Sequence, residues 1–119
     1  MEDDNTFTDE RGTIKDLLIT PEYSVTYITF TEGAVRGNHY HKETTQIDLV
    51  LSGELISVRS TDGKKANYTM FAGDRSKFPA GVAHAYKATK PSSMISICWG
   101  VRRGTNYEAD TFRLEEPLI

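Results

Sequence analysis

Cysteine occurs once in the 119 residues, as Cys98, so no internal disulfide can form. That excludes a disulfide scaffold and fits a reducing compartment. Long apolar runs are absent: no stretch approaches the roughly 18 residues that a membrane-spanning helix needs, and no membrane partner is expected. A basic excess is missing too, with 14 Lys and Arg against 17 Asp and Glu and a formal net charge of −3. A nucleic-acid partner held by phosphate neutralisation is therefore not expected. The first residues, Met1-Glu2-Asp3-Asp4, are acidic where a secretory signal would be basic and then apolar. A cytoplasmic location is the expectation. Histidine is scarce, with three in the chain, and the chemistry rests on those three.

Helical periodicity is the other absence. No window of about eleven residues carries apolar positions at three- and four-residue spacing. Short β-rich runs recur instead at 23–31, 46–51, 55–60, 67–71 and 94–99, with glycine, proline, aspartate or serine clusters between them. Strand then turn, with few residues between, predicts a single all-β domain of sandwich or barrel type. Asp62-Gly63 reads as a hairpin tip. Residues 1–20 form an N-terminal arm, in which 13–19 is a candidate edge or exchanged strand; 21–105 form the barrel. Residues 106–119 form a tail, a candidate last strand over the barrel mouth.

His39 and His41 flank Tyr40. In an extended strand, residues two apart share a face, so the two imidazoles project together as a pair of potential metal ligands. Gln46 opens the next strand and shares parity with Asp48 and Val50, while His84 follows the turn Pro79-Ala80-Gly81. Two ligands on one strand, one on its neighbour and one from a distant strand converge only inside a closed or nearly closed sheet that holds a cavity. Tyr86, two residues after His84, is expected in the same cavity, as a phenolic proton donor or as wall. The same three histidines also fit a metal-free hydrogen-bonded cluster or acid–base groups without metal. Tyr40 reads as a surface or dimer-interface aromatic, and Cys98 as packing in an apolar strand.

The residues Gly33, His39, His41, Gln46 and Gly53, followed by Gly73, Pro79, Gly81, His84 and Ala88, resemble the two motifs of the cupins. Gln46 stands where that pattern has glutamate, and Ala88 where it has asparagine. The resemblance implies a double-stranded β-helix, or jelly-roll barrel, with His39, His41, Gln46 and His84 as metal ligands. An amide oxygen balances no charge, so zinc is expected ahead of nickel, copper or iron. Asp48 is the nearest group able to restore a negative charge, as a ligand, as a hydrogen-bond partner of an imidazole, or as a proton acceptor.

The run Arg36-Gly37-Asn38-His39-Tyr40-His41-Lys42 and the tail Ala109-Asp110-Thr111-Phe112 are similar to the cupin domain of capsular polysaccharide nucleotide-sugar epimerases. His39-Tyr40-His41-Lys42 with Gln46, and the turn Glu10-Arg11-Gly12, are similar to dTDP-sugar 3,4-ketoisomerases over the first half of the chain. Both resemblances imply a sugar nucleotide as the small-molecule substrate and proton abstraction next to a keto group. His39 or His41 would be the base, Asp48 would orient it or act itself, and Tyr86 or a metal would polarise the carbonyl. Arg36 would meet the diphosphate. A metal-dependent oxygenase and a non-catalytic sugar-binding cupin are the alternatives. One barrel leaves no room for a second, cofactor-binding domain, so no organic cofactor is expected. A homodimer is expected.

Overall fold

A computed structural model describes residues 6–100 and 110–119. The described residues form eleven strands: β1 (Thr6–Asp9), β2 (Gly12–Ile19), β3 (Tyr23–Phe30), β4 (Val35–Tyr40), β5 (Thr45–Ser52), β6 (Glu54–Thr61), β7 (Lys64–Phe71), β8 (Arg75–Phe78), β9 (Ala83–Ala88), β10 (Ser92–Trp99) and β11 (Phe112–Arg113). They make two antiparallel sheets, ordered β1-β2-β3-β10-β5-β8 and β11-β4-β9-β6-β7. This is the all-β jelly roll that the sequence predicts. Among the described residues no helix is long and apolar enough to cross a membrane.

Alternation along the strands sets which side chains meet between the sheets. On β5, Gln46, Asp48 and Val50 are buried while their neighbours are half-exposed. On β10 the inward positions are Met94, Ser96 and Cys98. The inner face is thus apolar at one end and polar at the other. Phe30, Val50, Leu55, Met70, Phe78 and Met94 pack as the core at the apolar end, together with Tyr86. Burying each large apolar side chain there contributes about 1.5–3 kcal/mol. Asp62 and Gly63 join β6 to β7 with φ of 51° and 78°, the left-handed pair that a two-residue hairpin turn requires.

One expectation is refined and one is corrected. Residues 13–19 lie in β2, which pairs with β3 on one side, while β1 covers only Gly12–Lys15 on the other and leaves Asp16–Ile19 as an outer edge. Thr6–Asp9 supplies that cover, a strand too short to stand out in the sequence. The strand that carries Gln46 is not the neighbour of the histidine strand. β4 lies between β9 and β11, whereas β5 lies between β10 and β8 in the facing sheet. Residues 41–44 cross from one sheet to the other, which a hairpin reading of so short a gap does not anticipate. The tail contributes β11, as expected, while residues 106–109 lie outside the described residues.

Candidate functional site

β4 departs from a regular strand just before its histidine. Gly37 and Asn38 take φ of 93° and 56°, and the pairing with β9 shifts between Gly37 and His39. Glycine is required here, because a Cβ on Gly37 would stand 2.9 Å from the His84 carbonyl oxygen and 3.0 Å from Ala85 Cα. Asn38 is held by the chain's end, its Oδ1 accepting from the Leu118 amide at 2.7 Å. The bulge brings His39 directly opposite His84 on β9. His41 follows just beyond the end of β4.

The three imidazoles converge. Ring centroids lie 5.0 Å apart for His39 and His41, 4.7 Å for His39 and His84, and 5.4 Å for His41 and His84. One nitrogen from each lies within 4.8 Å of the others. His84 Nδ1 stands 3.1 Å from the Val82 carbonyl and His41 Nδ1 stands 2.9 Å from that of Asp110. A carbonyl only accepts, so both Nδ1 atoms carry the hydrogen, and each Nε2 keeps a lone pair where its imidazole is neutral. Carbonyl-anchored imidazoles of this kind are how proteins orient metal-ligating histidines. The ring of Phe78 stacks on His84, with centroids 4.3 Å apart, and closes the cluster on its apolar side.

Gln46 reaches the cluster from the facing sheet. Its Oε1 lies 3.2 Å from His41 Nε2, and its Nε2 lies 3.0 and 2.9 Å from the two carboxylate oxygens of Asp48. The amide nitrogen must face the carboxylate, which fixes Oε1 toward His41. With His41 neutral, two lone-pair atoms approach each other in a buried place, an arrangement that a proton or a metal cation between them relieves. Two ligands about 2.1 Å from one ion stand about 3.4 Å apart in tetrahedral geometry, so the observed 3.2 Å fits a shared ion. His39, His41, His84 and Gln46 thus suit a divalent metal.

Asp48 is fully buried, and the Tyr86 hydroxyl donates to its Oδ2 at 2.5 Å. Its partners include the Gln46 amide and the Tyr86 phenol, and both of these residues line the cavity. Burial pushes the Tyr86 phenol well above its ordinary pKa, and the charge and hydrogen bond of Asp48 add to the effect. Tyr86 therefore keeps its proton at neutral pH.

A cavity of about 450 Å³ opens beside these groups, lined by His39, Gln46, His84 and Tyr86 at one part. Arg36 is also in its wall, and so are Arg11 and Asp16 from the N-terminal arm. Arg36 is 7% exposed, donates to the Thr29 carbonyl at 3.2 Å, lies over the Phe30 ring, and has a buried Nε without a hydrogen-bond partner. Its pKa is lowered by burial and by the nearby Arg11 charge. A solvated surface arginine is thereby excluded.

Tyr40 stacks on Phe112 at 5.4 Å, and Lys42 Nζ lies 4.4 Å from the Phe112 ring centroid. Cys98 is buried and lines the cavity rather than packing in an apolar layer. Ala88, in the asparagine position of the motif, is a fully buried member of the core.

Asp110 is a residue that strand parity could not find. Its carboxylate accepts from the amides of Lys42 and Glu43, both at 3.0 Å, and from Thr44 Oγ1 at 2.7 Å. Burial raises its pKa, but hydrogen bonds from Thr44, Glu43 and Lys42 outweigh this and hold it below the ordinary value. One residue thus staples the crossing between His41 and Gln46 and, through its carbonyl, orients His41. The only sequence sign of it was the Ala109-Asp110-Thr111-Phe112 string.

The model of the polysaccharide biosynthesis C-terminal domain matches residues 7–112. Among solved structures, the capsular polysaccharide assembling protein CapF from Staphylococcus aureus superposes with a TM-score of 0.79 at 22% identity, over 93% of this chain and 32% of that one. A tryptophan-to-phenylalanine variant of oxalate decarboxylase from Bacillus subtilis superposes with a TM-score of 0.80 at 19% identity, over 92% of this chain and 30% of that one. A further structure of the same decarboxylase, described for its Mn(II) centres, gives 0.79 at 18% identity, over 96% and 32%. At such identities the likeness establishes the fold. The chain spans about a third of the length of these proteins. Comparison with curated protein sequences finds no match. A match across nearly the whole described barrel makes this chain a member of the polysaccharide biosynthesis C-terminal domain family, with the cupin fold it shares with CapF and oxalate decarboxylase.

Proposed function

We propose that this cupin acts on a keto-sugar nucleotide as an epimerase or ketoisomerase, moving a proton on the carbon next to the keto group. The observation that carries the reading is the Tyr86 phenol, hydrogen-bonded to Asp48 behind it, which lines one cavity with His39, His84 and the buried Arg36. The domain family and the capsular polysaccharide protein CapF, similar in fold, support the substrate class.

His39, His41, His84 and Gln46 would hold a divalent ion, with zinc favoured by the three imidazoles and neutral oxygen. Held there, such an ion would supply polarisation of the keto oxygen and stabilisation of the negative charge that develops on it. In this reading the imidazoles are engaged, and the proton travels through Tyr86 and Asp48 rather than through His39 or His41. As the carbon–hydrogen bond breaks, Tyr86 Oη takes that proton and passes its own to Asp48 Oδ2. The bonding pair moves into the enolate. Delivery of a solvent proton to the other face of the same carbon, with Asp48 releasing its proton to solvent through Tyr86, gives epimerisation. Return of the relay's proton at the neighbouring carbon, with the hydroxyl proton passing from one enediol oxygen to the other, gives isomerisation. No redox partner is consumed. Arg36, buried in the cavity wall, would bind the diphosphate, whose charge it balances.

The test is the zinc-loaded chain with 4-keto-sugar nucleotides in deuterium oxide, followed by mass spectrometry. Deuterium incorporation at carbon next to the keto group is expected. Oxygen uptake without exchange would overturn the reading in favour of an oxygenase, and absence of exchange across the panel would overturn it in favour of a sugar-binding cupin.

A further inference from the structure

We propose that Gln46 and Asp48 work as one unit, in which Gln46 supplies the ligand oxygen and Asp48 supplies, through the amide, the negative charge that glutamate provides in the cupin motif. This rests on the cation reading of the site. Asp48 is then a positioning residue, acting on the ion only through Gln46.

The geometry is specific. Gln46 Nε2 faces both carboxylate oxygens of Asp48, at 3.0 and 2.9 Å, while Oε1 faces His41 Nε2 at 3.2 Å. Hydrogen bonding of an amide nitrogen to a carboxylate favours the amide's charge-separated resonance form, which places more negative charge on its oxygen. Bonds of this charge-assisted kind are roughly twice as strong as neutral ones. Asp48 is 0% exposed, so solvent does not screen the effect. Both residues lie on β5, two apart, and the strand is hydrogen-bonded to β10 and β8 at these positions. The backbone therefore holds the pair in register.

A direct consequence separates this unit from an ordinary glutamine ligand. Gln46→Glu, which adds charge where the ion would bind, also sets a carboxylate about 3 Å from Asp48. Like charges that close repel strongly in a buried place. The gain from the new charge is lost unless Asp48 is neutralised at the same time.

The experiment titrates the full chain with zinc alone, by calorimetry or against a chromophoric chelator. Asp48→Asn is expected to weaken zinc about 10- to 100-fold, the range for loss of a partner that supports a metal ligand. Gln46→Glu is expected to bind no more tightly than the native chain. The double variant Gln46→Glu with Asp48→Asn is expected to recover at least native affinity. Tyr86→Phe removes the other hydrogen bond to Asp48 and is expected to leave zinc affinity unchanged or raised. Native affinity in Asp48→Asn would overturn the proposal, as would tightening by Gln46→Glu alone. A loss in Tyr86→Phe as large as in Asp48→Asn would also overturn it. A native chain that takes up no zinc would overturn the underlying cation reading instead.

Discussion

On β5 a carboxamide and a carboxylate share one buried face, and a phenol reaches the carboxylate from the opposite sheet. Asp48 is common to both the ion side and the proton side of the cavity. The two roles can be parted at Tyr86. Replacement of Tyr86 by phenylalanine is expected to lower deuterium exchange by at least about 100-fold, the usual scale for a lost acid–base group. Equal exchange in Tyr86→Phe would show that the proton takes another route. At this scale the sequence was informative about which residues face inward, because His39, Gln46, Asp48 and Tyr86 follow strand parity. It could not show that Asp48 bonds the amide of Gln46. That depends on which sheet each strand joins, and a two-residue period says nothing of it. The burial of Arg36 was equally hidden, since a cation before a histidine strand looks the same whether Phe30 and Thr29 cover it or water does.

Among the elements, the crossing from β4 to β5 governs the site. It carries His41 in and Gln46 out within a few residues, and its amides at Lys42 and Glu43 are satisfied by Asp110 from far along the chain. Removing the Asp110 carboxylate leaves those donors and Thr44 Oγ1 without it. Asp110→Ala is therefore expected to cost about 1–3 kcal/mol in urea unfolding, the penalty of leaving buried polar groups unsatisfied. Zinc affinity should fall about tenfold with it, because the same segment orients His41. Unchanged stability together with unchanged zinc binding would contradict the staple. The β6–β7 hairpin was legible from Asp62-Gly63, and β3, β5, β6 and β10 from their β-branched and apolar runs. β1 and β8 were not, since four residues carry too little alternation to separate a strand from a turn. The bulge at Gly37-Asn38 left only its glycine as a trace.

The molecule as a whole divides along its barrel axis into an apolar end that holds the sheets together and a polar end that holds the cavity. The ligand set is a property of that arrangement: His39 and His84 come from one sheet, Gln46 from the other, and His41 from the crossing between them. An ion bound by all four ties the sheets to each other, so binding should appear as stability of the entire fold. A ligand at about 1,000 times its dissociation constant stabilises the native state by about 4 kcal/mol. Zinc titration of the metal-free chain, read by stoichiometry and by thermal unfolding together, tests this most directly. One zinc per chain, a raised unfolding temperature, and equal loss of both in His39→Ala and His84→Ala are the predicted results. Zinc uptake that survives His84→Ala, or that leaves the unfolding temperature unchanged, would contradict a site built from both sheets.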